Sequence, residues 1–146
     1  MQSQSIILTT DDHERLSQLI AENGYTRNAI DAAAFAGLAK EVKRAKIVMP
    51  DEIPDNVVTM NSSVFVKDLD SGEKMRMTIC WPEQVNPQNG MINVLAPLGT
   101  ALLGTQVGEV VEWVVPSGLR KLKVCKIFFQ PEAKHKGNIG PSAASS

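Results

Sequence analysis

Residue types able to carry out chemistry are sparse in this chain, and they do not converge. Its two histidines, His13 and His135, stand beside no Cys, Ser or carboxylate arrangement that would make a nucleophile and its base. Both read as solvated side chains. Cys80 and Cys125 lie far apart and match no metal-ligand spacing, and their apolar, β-branched surroundings predict small buried thiols. The glycines between Gly99 and Gly108 lack the spacing of a phosphate-binding loop. Paired carboxylates at a turn hold Mg²⁺, because that ion takes a few acidic oxygens and keeps its remaining waters. The one turn where such a pair is expected reads Glu22-Asn23-Gly24-Tyr25-Thr26-Arg27-Asn28, with a single acid beside an arginine. No catalytic residue, no cofactor and no metal ligand follow from these patterns; the chain reads as a binding protein and not an enzyme.

Three features fit binding. Lys40, Lys43, Arg44 and Lys46 form a basic run, expected on one side of a helix. It is either a solvated helix face or a patch that meets RNA or an acidic protein surface. Tyr25 stands among polar residues at the turn, with Glu22, Asn23, Gly24 and Arg27 around it, and reads equally as a packed ring or a partner contact. Leu95, Ala96, Pro97 and Leu98 form an apolar corner between a strand and a short helix, where the chain must reach the surface.

The elements that position these residues fall into two groups, because the hydrophobic period changes once. From about residue 10 to 47 the period is helical; from about 57 to 129 it is mostly that of strands. Asp11 with Glu14 has capping-box spacing, and Leu16, Leu19 and Ile20 give the first helix an apolar stripe that stops at Asn23-Gly24. A second helix starts at Asn28 or Ala29, with Ile30, Ala34, Leu38, Val42 and Ala45 on one face. Small residues at positions 32–34, 36 and 37 permit the two helices to approach closely as an antiparallel hairpin. Strands are expected at 57–60, 63–68, 74–81, 91–96, 109–115 and 119–129, with a short helix opened by Pro97 and closed by Gly104. Phe65, Trp81 and Trp113 are expected to fill the core. The expected fold is α+β: a short N-terminal antiparallel helical hairpin, then a five- or six-stranded, mostly antiparallel sheet carrying one short helix. Residues 1–49 form the hairpin and 50–131 the sheet domain, while the Lys-, Gly-, Ser- and Ala-rich residues 132–146 read as a disordered tail.

With 146 residues, 15 Lys+Arg and 16 Asp+Glu, the formal net charge is −1. That balance argues against coating nucleic acid or an anionic membrane through bulk charge, although it leaves room for a local basic patch. No apolar run approaches the roughly 20 residues that span a bilayer, and the first ten residues lack the pattern of a signal peptide. A cytoplasmic protein without a membrane partner is expected.

The run Ala96-Pro97-Leu98-Gly99-Thr100-Ala101-Leu102-Leu103-Gly104-Thr105-Gln106-Val107-Gly108-Glu109 resembles the segment that typifies the C-terminal domain of the GreA/GreB transcription elongation factors. Pro116-Ser117-Gly118 and the strand from Leu122 to Ile127 resemble that family's proline–glycine turn and last strand. Val58-Thr59-Met60-Asn61-Ser62, the short hairpin and the linker from Met49 to Pro54 are similar to the Rnk proteins, short relatives of the Gre factors. The resemblance implies an FKBP-like C-terminal domain that docks on bacterial RNA polymerase at the rim of the secondary channel, with a helical coiled coil pointing toward it. Contact with nucleic acid would be indirect, within the transcription complex. By position, the family's docking corner falls on Leu95, Ala96, Pro97 and Leu98, with Ala96 replacing a serine. Gre factors hold Mg²⁺ on two tip acids to cleave the transcript. This chain lacks the acid pair, and its hairpin is too short to reach the active centre. The implied function is therefore a regulator of elongation that competes with Gre factors without stimulating cleavage. Two other readings are a Gre-like cleavage factor with an unusual tip and an FKBP-like prolyl isomerase. The isomerase needs an aromatic wall, for which four Phe, two Trp and one Tyr supply little material.

Overall fold

The computed structural model describes residues 5–23 and 29–136. The chain opens with β1 (Ile7–Thr9) and α1 (Thr10–Glu22), followed by α2 (Ala29–Arg44) and β2 (Lys46–Val48). The second group comprises β3 (Ser63–Asp68), β4 (Lys74–Cys80), β5 (Met91–Asn93), α3 (Pro97–Leu102), β6 (Val110–Val115) and β7 (Gly118–Phe129). The expected mixture of helices and sheet is present, with the helices first.

The first helix is capped differently from the expectation. Thr9, not Asp11, is its N-cap: the Thr9 hydroxyl accepts from the Asp12 backbone N–H at 3.2 Å, and both aspartates fall in the first turn. At the other end Asn23 does not take the left-handed conformation (φ −121°); its side-chain amide instead donates to the Leu19 carbonyl at 2.8 Å. Leu16 is buried, and Leu38 and Val42 carry the buried face of α2.

Residues 46–48 leave the helix altogether. They form β2, which runs parallel to β1 in the register Ile7↔Lys46, Leu8↔Ile47, Thr9↔Val48 and so ties together the two ends of the helical segment. Gly104 closes this joint. It adopts φ +81°, and a Cβ on it would lie 2.4 Å from the Ile6 side chain, so only glycine permits that approach.

The main sheet has five strands in the order β5-β4-β3-β7-β6, all antiparallel pairs except β4 with β5. Its inner face buries Val64, Val66, Met77, Ile79, Leu122 and Val124 in one cluster with Leu8, Leu16 and Leu102. The expected strand at 57–60 is not formed. Val57 makes a single bridge to Gln106, while Val58 exchanges backbone bonds with Thr105 and Gly104. The Gln130 side-chain amide donates to the Pro54 and Val57 carbonyls at 2.8 and 2.9 Å, so the Val57 carbonyl is satisfied by a side chain and not by a strand.

The segment Pro131–Lys136, expected as the start of a tail, is a 3₁₀ helix with Glu132 buried in it. The Thr59 hydroxyl donates to Glu132 Oε1 at 2.7 Å, which anchors the segment. Two aromatic and cysteine expectations also change. Trp81 is buried as expected and Trp113 is half-buried, but Phe65 points to the outer face of the sheet. Cys80 is buried, whereas Cys125 is half-buried at a register irregularity of β7. Among the described residues no helix is long and apolar enough to cross a membrane.

Candidate docking surface

The apolar corner at residues 95–98 is built by a turn that Asn93 organises. Its side-chain oxygen accepts from the Leu95 N–H at 2.9 Å and its carbonyl from the Ala96 N–H at 3.0 Å. Ala96 then serves as the N-cap of α3 without a side-chain bond, and Pro97 occupies the first helical position, where a missing N–H costs nothing. The Thr100 hydroxyl donates to the Pro97 carbonyl at 2.9 Å. Gly99 sets how deeply the helix sits: a Cβ there would stand 2.2 Å from the Asn93 carbonyl oxygen. Leu95, Ala96, Pro97 and Leu98 are all half-buried, so each leaves part of its apolar surface open.

Pro97 lies on the wall of a cleft of about 880 Å³ between α2, α3 and β6. Ala33, Ala34 and Gly37 line the α2 side, Thr100 and Ala101 the α3 side, and Trp113 the strand side. The small residues of α2 thus open space beside α3, where the sequence suggested close packing of two helices. A Cβ on Gly37 would meet nothing within 4 Å. Among the described residues the Trp113 indole N–H is buried without a hydrogen-bond partner. Lys40, Glu41, Glu112 and Lys121 supply charges among the lining residues.

The other expected site residues do not converge on this cleft. Glu22 is exposed at the end of α1 with Asn23 as its C-cap; Gly24, Tyr25 and Arg27 lie outside the described residues. Lys40, Lys43 and Arg44 share an exposed face of α2, where Arg44 pairs with Glu41 at 3.3 Å. Lys46 is separated from them, because it belongs to β2 and not to the helix. Only Lys40 of this run reaches the cleft. Among the described residues, no three His, Cys, Asp or Glu side chains are grouped to hold a metal.

One titratable cluster escaped the sequence reading. Burial, with Glu132 nearby as a second carboxylate, pushes the Asp12 carboxyl up to about 7. Among the described residues its Oδ2 is buried without a hydrogen-bond partner, and the Met60 backbone and Thr9 side chain only partly oppose the rise. The cluster joins the start of α1 to the 3₁₀ helix Pro131–Lys136, residues more than a hundred positions apart, so no local spacing could announce it.

Comparison with known proteins places this geometry. Residues 53–128 match the family model described as "Transcription elongation factor, GreA/GreB, C-term", and residues 4–48 match that described as "Rnk N-terminus". The chain is 37% identical over 134 residues to the regulator of nucleoside diphosphate kinase of Escherichia coli K12, covering 91% of this chain and 96% of that protein. It is 36% identical over 96 residues to the transcription elongation factor GreA of Nautilia profundicola, covering 66% of this chain and 59% of that factor. Among solved structures, a GreA/GreB factor from Nitrosomonas europaea superposes with a TM-score of 0.72 at 32% identity, over 87% of this chain and all of that one. These similar proteins are named as regulators and elongation factors. Matched along both halves, the chain belongs to the GreA/GreB transcription elongation factor family, in the form that carries the Rnk N-terminal segment.

Proposed function

We propose that this protein is a non-enzymatic regulator of transcription elongation that docks on bacterial RNA polymerase at the rim of the secondary channel. It competes there with Gre factors and does not stimulate transcript cleavage. In this reading residues 50–131 are the docking unit, an FKBP-like domain, and residues 1–49 are a short coiled-coil hairpin directed at the channel.

The observation that carries the reading is the apolar cleft beside Pro97, within the stretch that matches the GreA/GreB model. Leu95, Ala96, Pro97 and Leu98 supply an anchor whose affinity comes from buried apolar area, at roughly 25 cal/mol per Å² before association costs. Lys40 and Lys121, with Glu41 and Glu112, set charge complementarity at the edge and so affect the rate of encounter more than the affinity. Absence of cleavage follows from the tip sequence, which offers Glu22 as its one acid from position 22 to position 28. Lys43, Arg44 and Lys46 contribute salt-sensitive steering.

The test is competition between this protein and labelled GreB for purified polymerase, with cleavage followed in stalled complexes. Displacement of GreB without new cleavage products is expected. Pro97→Asp, which places a charge on the cleft wall, should weaken the competition by at least about tenfold while the fold persists, since a desolvated charge at an apolar anchor costs more than 1.4 kcal/mol. A folded Pro97→Asp protein that competes as well as the wild type removes the docking assignment. Shortened transcripts on addition of the protein and Mg²⁺ would remove the non-cleaving one.

A further inference from the structure

The sheet turns a second face away from the core, and its chemistry is unlike that of the rest of the molecule. Register alone defines it. Phe65 on β3 stands opposite Arg76 on β4 and Lys126 on β7, so one row reads Arg76–Phe65–Lys126 across three strands. The next row reads Lys74–Lys67–Lys123. Inward neighbours in the same strands are Val64, Val66 and Val124, all fully buried, so these rows point outward. Two inter-strand gaps place three lysines within about 10 Å of one another.

Like charges directly opposed in a sheet destabilise it. Here three are opposed in series, and none of these lysines forms an ion pair with a described residue. The next row pairs Lys121 with Glu112, the one acid at an outward register position of β3, β4, β6 and β7. A chain of net charge −1 therefore concentrates six cations on the outward positions of the central three strands, with Glu112 of β6 as the acid beside them. That arrangement is complementary to a polyanion.

The same face carries stackable rings. Phe65 and Phe128 meet edge to face with centroids 5.8 Å apart, and both are half-buried. The Arg76 guanidinium lies over the Phe128 ring, 4.2 Å from its centroid, and Lys126 Nζ lies 5.0 Å from it, so a base that stacks on Phe128 must take the place of one of these cations, which then turns to its phosphate. Rings flanked by cations on an open sheet suit unstacked bases with their phosphates alongside. An acidic peptide would use the lysines and have no need of the rings, and a duplex hides its base faces.

We infer that the outer face of β4-β3-β7 binds single-stranded nucleic acid, with phosphates on Lys67, Lys74 and Lys123 and bases on Phe65 and Phe128. This face meets the Pro97 cleft only at its β6 side, through Glu112 and Lys121; Lys67, Lys74, Lys123, Phe65 and Phe128 do not line the cleft, so oligonucleotide binding and polymerase docking at Pro97 succeed or fail separately.

The experiment is fluorescence anisotropy of the full chain with labelled oligouridylate and oligothymidylate of about 12 nucleotides, a site of the usual length for such surfaces. A duplex and a polyglutamate peptide of the same length serve as rival ligands, and salt is varied. The expected result is single-strand binding that falls with log salt at a slope of about −0.7 per phosphate contact. Lys67→Gln/Lys74→Gln/Lys123→Gln should reduce that slope by about 2 and weaken binding by at least about tenfold at low salt. Phe128→Leu, which keeps apolar bulk, should weaken binding by about fivefold or more with the slope unchanged. Competition with GreB should survive the triple variant, which also reports that it is folded. No binding to either single strand overturns the inference. So does equal or tighter binding of duplex or polyglutamate, or single-strand binding that neither variant alters. A preference between the two strands separates an RNA ligand from a DNA ligand.

Discussion

The two faces of the five-stranded sheet are made by alternate residues of the same strands, yet they follow different rules. On the inner face Val64, Val66, Leu122 and Val124 are packed against helices, and their energetics are those of buried area and cavities. On the outer face Lys67, Lys123 and Lys126 have water on one side and each other as neighbours, so their energetics are those of screened charge. What the difference teaches is that net charge describes neither face. A balance of −1 conceals a side of the molecule that is strongly cationic.

The sharpest way to break this comparison uses adjacent residues. Leu122 is 1% exposed and Lys123 is exposed, although they are consecutive in β7. Leu122→Ala should cost about 2–5 kcal/mol, because the cavity it leaves adds to the lost transfer energy. Lys123→Ala should stay within about 0.5 kcal/mol. Urea unfolding of both proteins gives the two values, and comparable losses would mean that the faces are not distinct.

Asp68 is the exception on the inner face, a carboxylate at a position the pattern reserves for apolar side chains. It ends β3, where Oδ1 accepts from the backbone N–H groups of Asp70 at 2.8 Å and Ser71 at 3.1 Å, and Oδ2 pairs with Arg120. Burial alone would raise its pKa, but the Ser71 N–H, the Arg120 guanidinium and the Asp70 N–H outweigh it and hold the carboxyl below its usual value. Asp68→Ala should lower Tm at neutral pH, by less than Leu122→Ala, through the unmet turn donors and the lost partner of Arg120. Asp68→Asn, which can still accept from the turn, should recover part of that loss. Because the folded pKa is lowered, this contribution is present above 3.8 and fades as pH falls through the lower folded value. Thermal unfolding of both variants across acid pH checks the order.

Asp12 works in the opposite direction. Its folded pKa lies at about 7 against 3.8 in the free side chain, chiefly through burial and secondarily through Glu132. A raised carboxyl favours the folded state fully below 3.8, and that benefit disappears as pH rises through about 7. Asp12→Asn should stabilise the protein by on the order of 1 kcal/mol at pH 8 and flatten the decline of Tm between those limits. Glu132→Gln should move the decline to lower pH. A wild-type Tm that does not fall across this window would show that Asp12 is not held neutral.

The outcomes of the sequence reading follow from how far apart the cooperating residues lie. Strands β3, β4, β6 and β7 were legible because six or more alternating residues declare a buried face, and the Pro97 helix because proline and glycine mark its two ends. Strands β1 and β2 were not legible: three residues each are too few for a period, and their parallel pairing joins positions nearly forty apart. The corner at Leu95–Leu98 could be read locally, but the cleft beside it could not, since Ile6, Ala33 with Gly37, and Trp113 come from three separate segments. Phe65 is a core candidate by its type alone, whereas its alternation with Val64 and Val66 puts it on the other side of the sheet. The basic face needed the register of three strands at once. Each strand showed its lysines, and only their pairing showed that they stand in a row.

The smallest expected effect is the one that bears most directly on that row. If Lys74, Lys67 and Lys123 repel one another in the absence of a ligand, removing the charge at its edge should stabilise the fold instead of weakening it. Lys74→Gln keeps the length and polarity of an exposed side chain on β4 and removes one charge opposite Lys67. The expected gain is a few tenths of a kcal/mol at low ionic strength, about the size of one unfavourable cross-strand pair. It should vanish near 1 M salt, where the Debye length falls to about 3 Å and the lysines no longer sense each other. Urea midpoints of the two proteins at low and high salt measure it. A gain that persists at high salt would come from packing or strand preference and not from charge. A loss at low salt would mean that Lys74 is held by a favourable interaction, so that the row is not a stored repulsion waiting for an anion.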